Sequence, residues 1–224
     1  MTAIAHRGDP VGHRENTLPS FAAAVAQGAD MLELDLRRTR DGAIVVLHDQ
    51  SLLRLWAREA SVGELDLSEV QRLGEGALHI PTLREVLEAT AVELMVDFTR
   101  REVVAGALDQ VMAADGLDRC LFVTGNVEAL RLLRALSGRA RVGLTWTEGP
   151  APPLDLLDEL GAEYWNPMYT LVTTEGVSAV HEAGLRVSTW TVDAQDDMAR
   201  VTAAGVDAVV SNRVADLLAF LGRG

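Results

Sequence analysis

We predict a single (β/α)8 barrel from three features of the sequence. Short apolar runs, which suit buried strands, alternate along the chain with amphipathic stretches, which suit helices. Each of the eight predicted strands is followed by one predicted helix, and that is the count for this barrel. Glycines stand at or just after most of the predicted helix ends, where a left-handed residue readily ends a helix.

The predicted elements follow one another in a regular order. The strands are predicted at residues 3–6, 31–39, 93–98, 120–124, 141–146, 164–167, 186–192 and 208–211. The helices are predicted at residues 18–27, 82–89, 101–114, 127–136, 154–160, 174–183, 194–204 and 214–221. A doubly wound open sheet is the alternative, and the absence of a glycine-rich nucleotide-binding turn from the sequence weighs against it.

A further strand is predicted at residues 43–48, after a tight turn that follows the second strand. Such a strand is antiparallel to its predecessor, so it cannot be a stave of a parallel barrel, and we expect it to lie over the mouth as a short arm. The connection at 51–79, with one predicted helix at 67–73, is too short for an inserted domain. The proline-rich segment 149–153 is predicted to be a stiff loop. We therefore expect one domain over residues 1–224.

Composition and charge exclude several classes of protein. With 224 residues, 48% of them hydrophobic, the chain can bury one core of barrel size. The chain has no apolar run of membrane-spanning length, no recognisable signal peptide and one cysteine, so we expect a cytoplasmic protein without a membrane span. The net charge of −13 argues against nucleic acid as a partner. All 20 basic residues are arginine, which excludes lysine Schiff-base chemistry and a P-loop.

The second predicted strand carries two acidic residues, which is unusual for a strand that is expected to be buried. Leucines alternate there with Glu33 and Asp35, so the two carboxylates share the face opposite the leucines. Carboxylate oxygens suit a hard cation such as Mg²⁺ or Ca²⁺, and we expect Asp97, at the end of the next strand, to join them. The alternative is that the acids only balance Arg37 or Arg38.

The dipeptide Asp41-Gly42 predicts a two-residue hairpin turn between the second strand and the arm. This turn places His48 directly opposite Asp35, at a Cβ separation of roughly 4.5–5.5 Å. A three-residue turn would shift the register and remove this pairing.

Other polar residues are predicted at the same rim of the barrel. His6 and Arg7 end the first strand, and Trp190 lies near the end of the seventh. Active sites of these barrels lie at the carboxyl ends of the strands. His6 and His48, with ordinary pKa values near 6.5, are candidates for acid–base catalysis, and Arg7 could bind a phosphate group.

These motifs together resemble those of the glycerophosphodiester phosphodiesterase family, over nearly the whole chain. The motifs are HRG at 6–8, ENT at 15–17, GAD-x-x-E-x-D at 28–35, DG at 41–42 and VV-x-HD at 45–49. The resemblance implies hydrolysis of a small-molecule glycerophosphodiester to sn-glycerol 3-phosphate and an alcohol, with a divalent cation as cofactor. It implies catalytic residues His6 and His48, metal ligands Glu33, Asp35 and Asp97, and phosphate- or substrate-binding residues Arg7, Glu15, Asn16 and Trp190.

The chain departs from the family pattern at several positions. Asp97-Phe98-Thr99 stands where the family has Glu-x-Lys, and Asn212 where it usually has aspartate. Residues 190–193 resemble the family's tryptophan-threonine-valine-asparagine signature. Two other functions therefore stay open: a related phosphodiesterase that acts on lysophospholipid-type substrates, and a phosphate-binding barrel that has lost turnover. The sequence also leaves open which histidine is the acid, whether water or the substrate's own hydroxyl attacks, and the oligomeric state.

Overall fold

The computed structural model describes residues 1–149, 151 and 153–223. In it, eight parallel strands close into a barrel, because the first strand pairs with both the second and the last. The strands are β1 (Thr2–His6), β2 (Met31–Arg38), β3 (Ile44–Val46), β4 (Gly74–Glu75), β5 (Leu78–His79), β6 (Glu93–Asp97), β7 (Cys120–Thr124), β8 (Arg141–Trp146), β9 (Tyr164–Pro167), β10 (Arg186–Thr189) and β11 (Ala208–Ser211). The staves are β1, β2 and β6 to β11, so the predicted (β/α)8 barrel is confirmed.

Helices follow the staves and surround the barrel. They are α1 (Leu18–Gln27), α2 (Leu53–Trp56), α3 (Leu67–Val70), α4 (Leu83–Ala89), α5 (Val104–Ala113), α6 (Val127–Leu136), α7 (Leu154–Glu159), α8 (Thr174–Glu182), α9 (Gln195–Ala203) and α10 (Val214–Phe220). Among the described residues, none of these helices has the length and apolar character needed to cross a bilayer. Of the loop predicted at 149–153, Pro150 and Pro152 lie outside the described residues.

Alternation along the strands separates two apolar regions from a polar rim. The leucines of β2 face outward and join the main core between barrel and helices. On the inner face of the same strand, Met31 belongs to a smaller apolar cluster that fills the barrel floor together with Ile4 and Met95. Glu33 and Asp35 follow Met31 on this inner face, so the barrel interior changes from apolar to acidic toward its carboxyl end.

The antiparallel arm is confirmed, but its predicted register is wrong. β3 pairs antiparallel with β2. Leu47, and not His48, lies opposite Asp35, and its N–H donates to the Asp35 carbonyl at 2.9 Å. The cause is the turn: residues 40–42 form a three-residue loop, in which Gly42 has a left-handed φ of 91°. The dipeptide Asp41-Gly42 also suits a three-residue loop, in which the glycine takes the last position with a left-handed φ.

The arm has an apolar cluster of its own, formed with the connection that follows it. The buried members of this cluster are Val45, Leu47, Leu52, Val62, Leu65, Val70 and Ile80. Seven buried aliphatic side chains give the arm a packed base. The residues that follow β3 are therefore anchored over the barrel mouth.

Gly8, in the first loop of the rim, occupies a position where only glycine fits. Its φ is 84°, and an added Cβ would lie 2.6 Å from the Ser20 carbonyl carbon and 2.7 Å from its oxygen. Gly184 has a similar φ of 78°, but nothing lies within 4 Å of its Cβ position.

We expect Gly184→Ala to lower the free energy of unfolding by about 1 kcal/mol, the cost of a left-handed alanine. Gly8→Ala should lower it by more than ~3 kcal/mol, because the clash with the Ser20 backbone adds to the same strain. Urea unfolding of both variants measures the difference. Equal losses would show that the loop relieves the clash without cost.

Candidate active site

The register of the staves brings the predicted acids and one histidine together. His6 at the end of β1 lies beside Glu33 of β2, and Asp35 of β2 lies beside Asp97 of β6. All four residues are on the inner faces of their strands, near the carboxyl ends. The side of the barrel formed by β1, β2 and β6 therefore presents an imidazole and three carboxylates to the same space.

A cavity of about 360 Å³ opens at this end of the barrel. Seven of the nine predicted site residues line it: His6, Arg7, Glu33, Asp35, His48, Asp97 and Trp190. His48 reaches the cavity although its register was mispredicted, because the chain bends at this residue after β3. Glu15 and Asn16 do not line the cavity and lie behind its wall.

The three carboxylates form a compact acidic cluster. Glu33, Asp35 and Asp97 each offer an oxygen within 4.8 Å of the others. Burial, followed by repulsion from Asp35 and Asp97, raises the pKa of Glu33 well above its usual range. Burial and the nearby Asp35 raise the pKa of Asp97 to about 7. Oxygen donors whose negative charges are this poorly compensated fit a hard divalent cation, so the residues present match the implied cofactor.

Two neighbours support Asp35 from behind. Arg7 Nε lies 3.1 Å from Asp35 Oδ2. Asn16, which is 1% exposed, donates from Nδ2 to the same oxygen at 2.8 Å. Arg37 and Arg38 form no ion pair with Glu33 or Asp35 in the described part of the chain, so the acids are not simply the partners of those two arginines.

A chain of hydrogen bonds sets the tautomer of His6. Asp193 Oδ2 accepts from Asn212 Nδ2 at 2.8 Å, so the amide oxygen of Asn212 must face the imidazole. That oxygen lies 2.7 Å from His6 Nδ1, which must therefore carry the hydrogen. The lone pair is left on Nε2, which lies 3.8 Å from Glu33. Burial and the Arg7 charge also lower the pKa of His6, which favours this neutral form.

Sequence reasoning treated Asn212 as a lost acid and Asp193 as part of a tryptophan signature. In the structure they are partners of each other. The resemblance implies an acid at position 212 and an amide at position 193, and this chain has them the other way round. The two positions considered together were the available signal.

His48 is held by an ionic chain that returns to Arg7. His48 Nδ1 lies 2.7 Å from Asp49 Oδ1, and Asp49 accepts from Arg54 at 2.6 Å. Arg54 also donates to Glu15 at 2.7 Å, and Glu15 accepts from Arg7 at 2.9 Å. Arg54, followed by His48, lowers the pKa of Asp49 to about 2, so this carboxylate stays ionised and accepts the Nδ1 hydrogen.

Several cavity residues were not predicted as part of the site. They are polar or small side chains at the ends of other staves, with one arginine of β2: Arg37, Thr99, Asn126, Thr145 and Asn166. Trp190, which was predicted, donates from its indole N–H to the Asn166 carbonyl at 3.0 Å. The indole is thereby fixed as one wall of the cavity.

Residues 6–216 match the sequence profile of the glycerophosphoryl diester phosphodiesterase family. The chain belongs to this family. A glycerophosphodiester phosphodiesterase of Caldanaerobacter subterraneus subsp. tengcongensis is 29% identical over 237 residues, covering 99% of this chain and 98% of the relative. One of Bacillus altitudinis is 28% identical and covers 95% of each chain. These relatives are phosphoric diester hydrolases, and the chain is an enzyme of that class.

Solved structures share the fold over almost the full length. A phosphodiesterase of Oleispira antarctica, solved in complex with its product sn-glycerol-3-phosphate, superimposes with a TM-score of 0.92 at 24% identity, covering 99% of this chain and 97% of that one. A glycerophosphodiester phosphodiesterase of Thermotoga maritima gives a TM-score of 0.84 at 23% identity, covering 98% and 97%. At this identity the likeness establishes the fold.

The raised pKa of Asp97 predicts a pH-dependent stability in the absence of cations. Between pH 4 and about 7 the folded protein keeps a proton on Asp97 that the unfolded chain loses, so this group's contribution to stability falls as the pH rises through that window. In chelator, Asp97→Asn should therefore gain stability relative to wild type as the pH rises from 4 to 8. Millimolar Mg²⁺ or Ca²⁺ at pH 8 should raise the melting temperature of wild type more than that of the variant.

Thermal unfolding at both pH values, with and without cation, measures these effects. Glu88→Gln, which removes an exposed helical carboxylate, is the matched control and should follow wild type. An Asp97→Asn profile parallel to wild type would mean that Asp97 titrates like a surface acid.

Proposed function

We propose that the protein hydrolyses glycerophosphodiesters to sn-glycerol 3-phosphate and an alcohol, in a reaction that depends on a divalent cation and two histidines. The observation that carries the proposal is that one cavity contains the acidic cluster, Arg7, His6 and His48. We also propose that residues 1–224 form one catalytic domain.

Three groups of residues would bind the substrate. Glu33, Asp35 and Asp97 would hold Mg²⁺ or Ca²⁺, which supplies positive charge to the phosphate oxygens when bound. Arg7 offers further N–H donors, because its contacts to Glu15 and Asp35 use only part of its fork. Because two acids hold the guanidinium group of Arg7, this group is oriented before the substrate binds.

The two histidines differ in how their rings are held, and this difference supports a proposal for their roles. His6, neutral with a free Nε2 lone pair, would accept the proton of the attacking hydroxyl, whether this belongs to water or to the substrate's glycerol. A new oxygen–phosphorus bond then forms, and the bond from phosphorus to the leaving oxygen breaks. Attack by the glycerol hydroxyl would give a cyclic phosphate, which a water molecule would then open to yield sn-glycerol 3-phosphate. His48, whose Nδ1–H is held by Asp49, would give a proton from Nε2 to the leaving alkoxide.

Variants of His48 and Glu33 test the function and separate its two parts. With glycerophosphocholine as substrate, His48→Ala should lower kcat by roughly 10²–10⁴-fold, the usual range for a general acid, and excess Mg²⁺ should not restore it. Glu33→Gln replaces a charged ligand by a neutral one, so it should raise the cation concentration needed for half-maximal rate, and excess cation should partly restore activity. Steady-state kinetics against cation concentration distinguishes them.

Two results would contradict this proposal. No turnover of any glycerophosphodiester by wild type with Mg²⁺, Ca²⁺ or Mn²⁺ would remove the activity itself. Equal rescue of both variants by excess cation would place His48 among the ligands and not among the proton donors. His181→Ala, which removes a histidine paired with Asp207 on the outside of the barrel, is the control and should stay active.

The exchange of acid and amide beside His6 gives a second prediction. Asp193→Asn should lower kcat about tenfold or more, because the Asn212 amide is then free to flip and the His6 tautomer is no longer fixed. The exchange variant Asp193→Asn/Asn212→Asp should recover most of the rate. It places a carboxylate on His6 Nδ1, which raises the pKa of His6, so the acidic limb of its kcat/KM profile should move to higher pH. A double variant as slow as Asp193→Asn would refute the compensation.

A further inference from the structure

A second groove, with a volume of about 260 Å³, opens directly beside the active-site cavity. Its charged lining residues are Arg37, Arg38, Arg100 and Glu102. Arg37 and Thr99 line both this groove and the cavity, so the two spaces share a wall. A ligand that extends out of the cavity past Arg37 enters the groove.

The groove is a local concentration of positive charge on an acidic protein. Three guanidinium groups face one carboxylate, which leaves a net charge of about +2 where the chain as a whole has −13. Arg37, Arg38 and Arg100 form no ion pair with a carboxylate within the described residues, whereas Arg7, Arg40 and Arg54 are all paired in this way. Their charges are available to an anionic ligand.

Arg37 has a buried donor that no acceptor within the described residues satisfies. Its Nη1 donates to Thr99 Oγ1 at 2.9 Å and its Nη2 to the His48 carbonyl, and both acceptors are neutral. Its Nε is buried without a hydrogen-bond partner. An anion beside Arg37 would give this nitrogen an acceptor and offset the cost of burying it unpaired.

The position of the groove relates it to one part of the substrate. Arg37 donates to the backbone of His48, the residue proposed to protonate the leaving oxygen. With His48 as the proton donor, the leaving alcohol would lie beside the wall that the cavity shares with the groove. Arg7 and the acidic cluster would hold the glycerol phosphate that remains.

We propose that this groove binds a phosphate monoester carried by the leaving alcohol, so that the preferred substrates are glycerophosphodiesters whose alcohol is itself phosphorylated. A phosphate dianion matches the net charge of the groove, and its oxygens match the forked donors of arginine. The inference rests on the proposed function, because it concerns the leaving group of that reaction.

The test compares two substrates that differ only in the added phosphate. One is glycerophosphoglycerol, and the other is the same diester with a phosphate on the terminal hydroxyl of its leaving glycerol. Wild type should favour the phosphorylated diester by roughly tenfold or more in kcat/KM, as expected for charge-assisted hydrogen bonds. The preference should shrink as salt is added, because exposed charges are screened.

Two double variants with the same change of charge identify the residues responsible. Arg38→Gln/Arg100→Gln should abolish the preference while leaving the rate on glycerophosphoglycerol unchanged. Arg58→Gln/Arg84→Gln is the control, because both arginines are exposed and lie outside the groove and the cavity. This control should keep the full preference.

The outcomes separate this inference from the proposed function. Turnover of both substrates without a preference, or a preference equal in both double variants, would overturn the groove inference and leave the function standing. No turnover of either substrate would overturn the function, and calorimetry would then decide on the groove alone. Binding of the phosphorylated diester that weakens about tenfold in Arg38→Gln/Arg100→Gln supports the groove, and unchanged binding overturns it.

Discussion

The buried acidic cluster is the constraint around which the rim of the barrel is organised. Three buried carboxylates with oxygens within 4.8 Å of one another repel, and the raised pKa values of Glu33 and Asp97 express the cost of burial and repulsion. The chain keeps them there through the apolar floor below and through Arg7 and Asn16 behind. A functional site is expected to lower the stability of the fold in this way, because its charged groups must be in place before the ligand binds.

The two histidines are held differently around this cluster. His6 lies inside the barrel against the acids, and a neutral amide sets its tautomer. His48 lies on the arm, where the ionised Asp49 holds it at the far end of the chain of ion pairs that starts from Arg7. One arginine therefore contacts both the acidic cluster and the support of the distant histidine, and this couples the arm to the barrel.

Much of this arrangement follows from local rules, and the parts that do not are of three kinds. Alternation along β2 was enough to place Glu33 and Asp35 on the inner face, and strand ends were enough to place His6 and Asp97. The hairpin register failed because an Asp-Gly pair occurs in three-residue loops as well as in two-residue ones. The contact of His6 with Asn212 joins residues 206 positions apart, and no periodicity reports such a neighbour. The groove was missed because Arg100, which follows β6, reaches it from another part of the chain and shares no periodic pattern with the arginines of β2.

The departures from the family pattern are best understood in pairs of contacting residues. Asp193 and Asn212 exchange acid and amide across one hydrogen bond, so the carboxylate near His6 is displaced and not lost. Thr99 stands where the family has lysine, and its hydroxyl accepts from Arg37 at 2.9 Å. Arg37, on the neighbouring strand β2, thus supplies a positive charge at the wall of the cavity where Thr99 lies. Each change taken singly removes a charge, whereas each contacting pair keeps a charge of the same sign at that wall of the site.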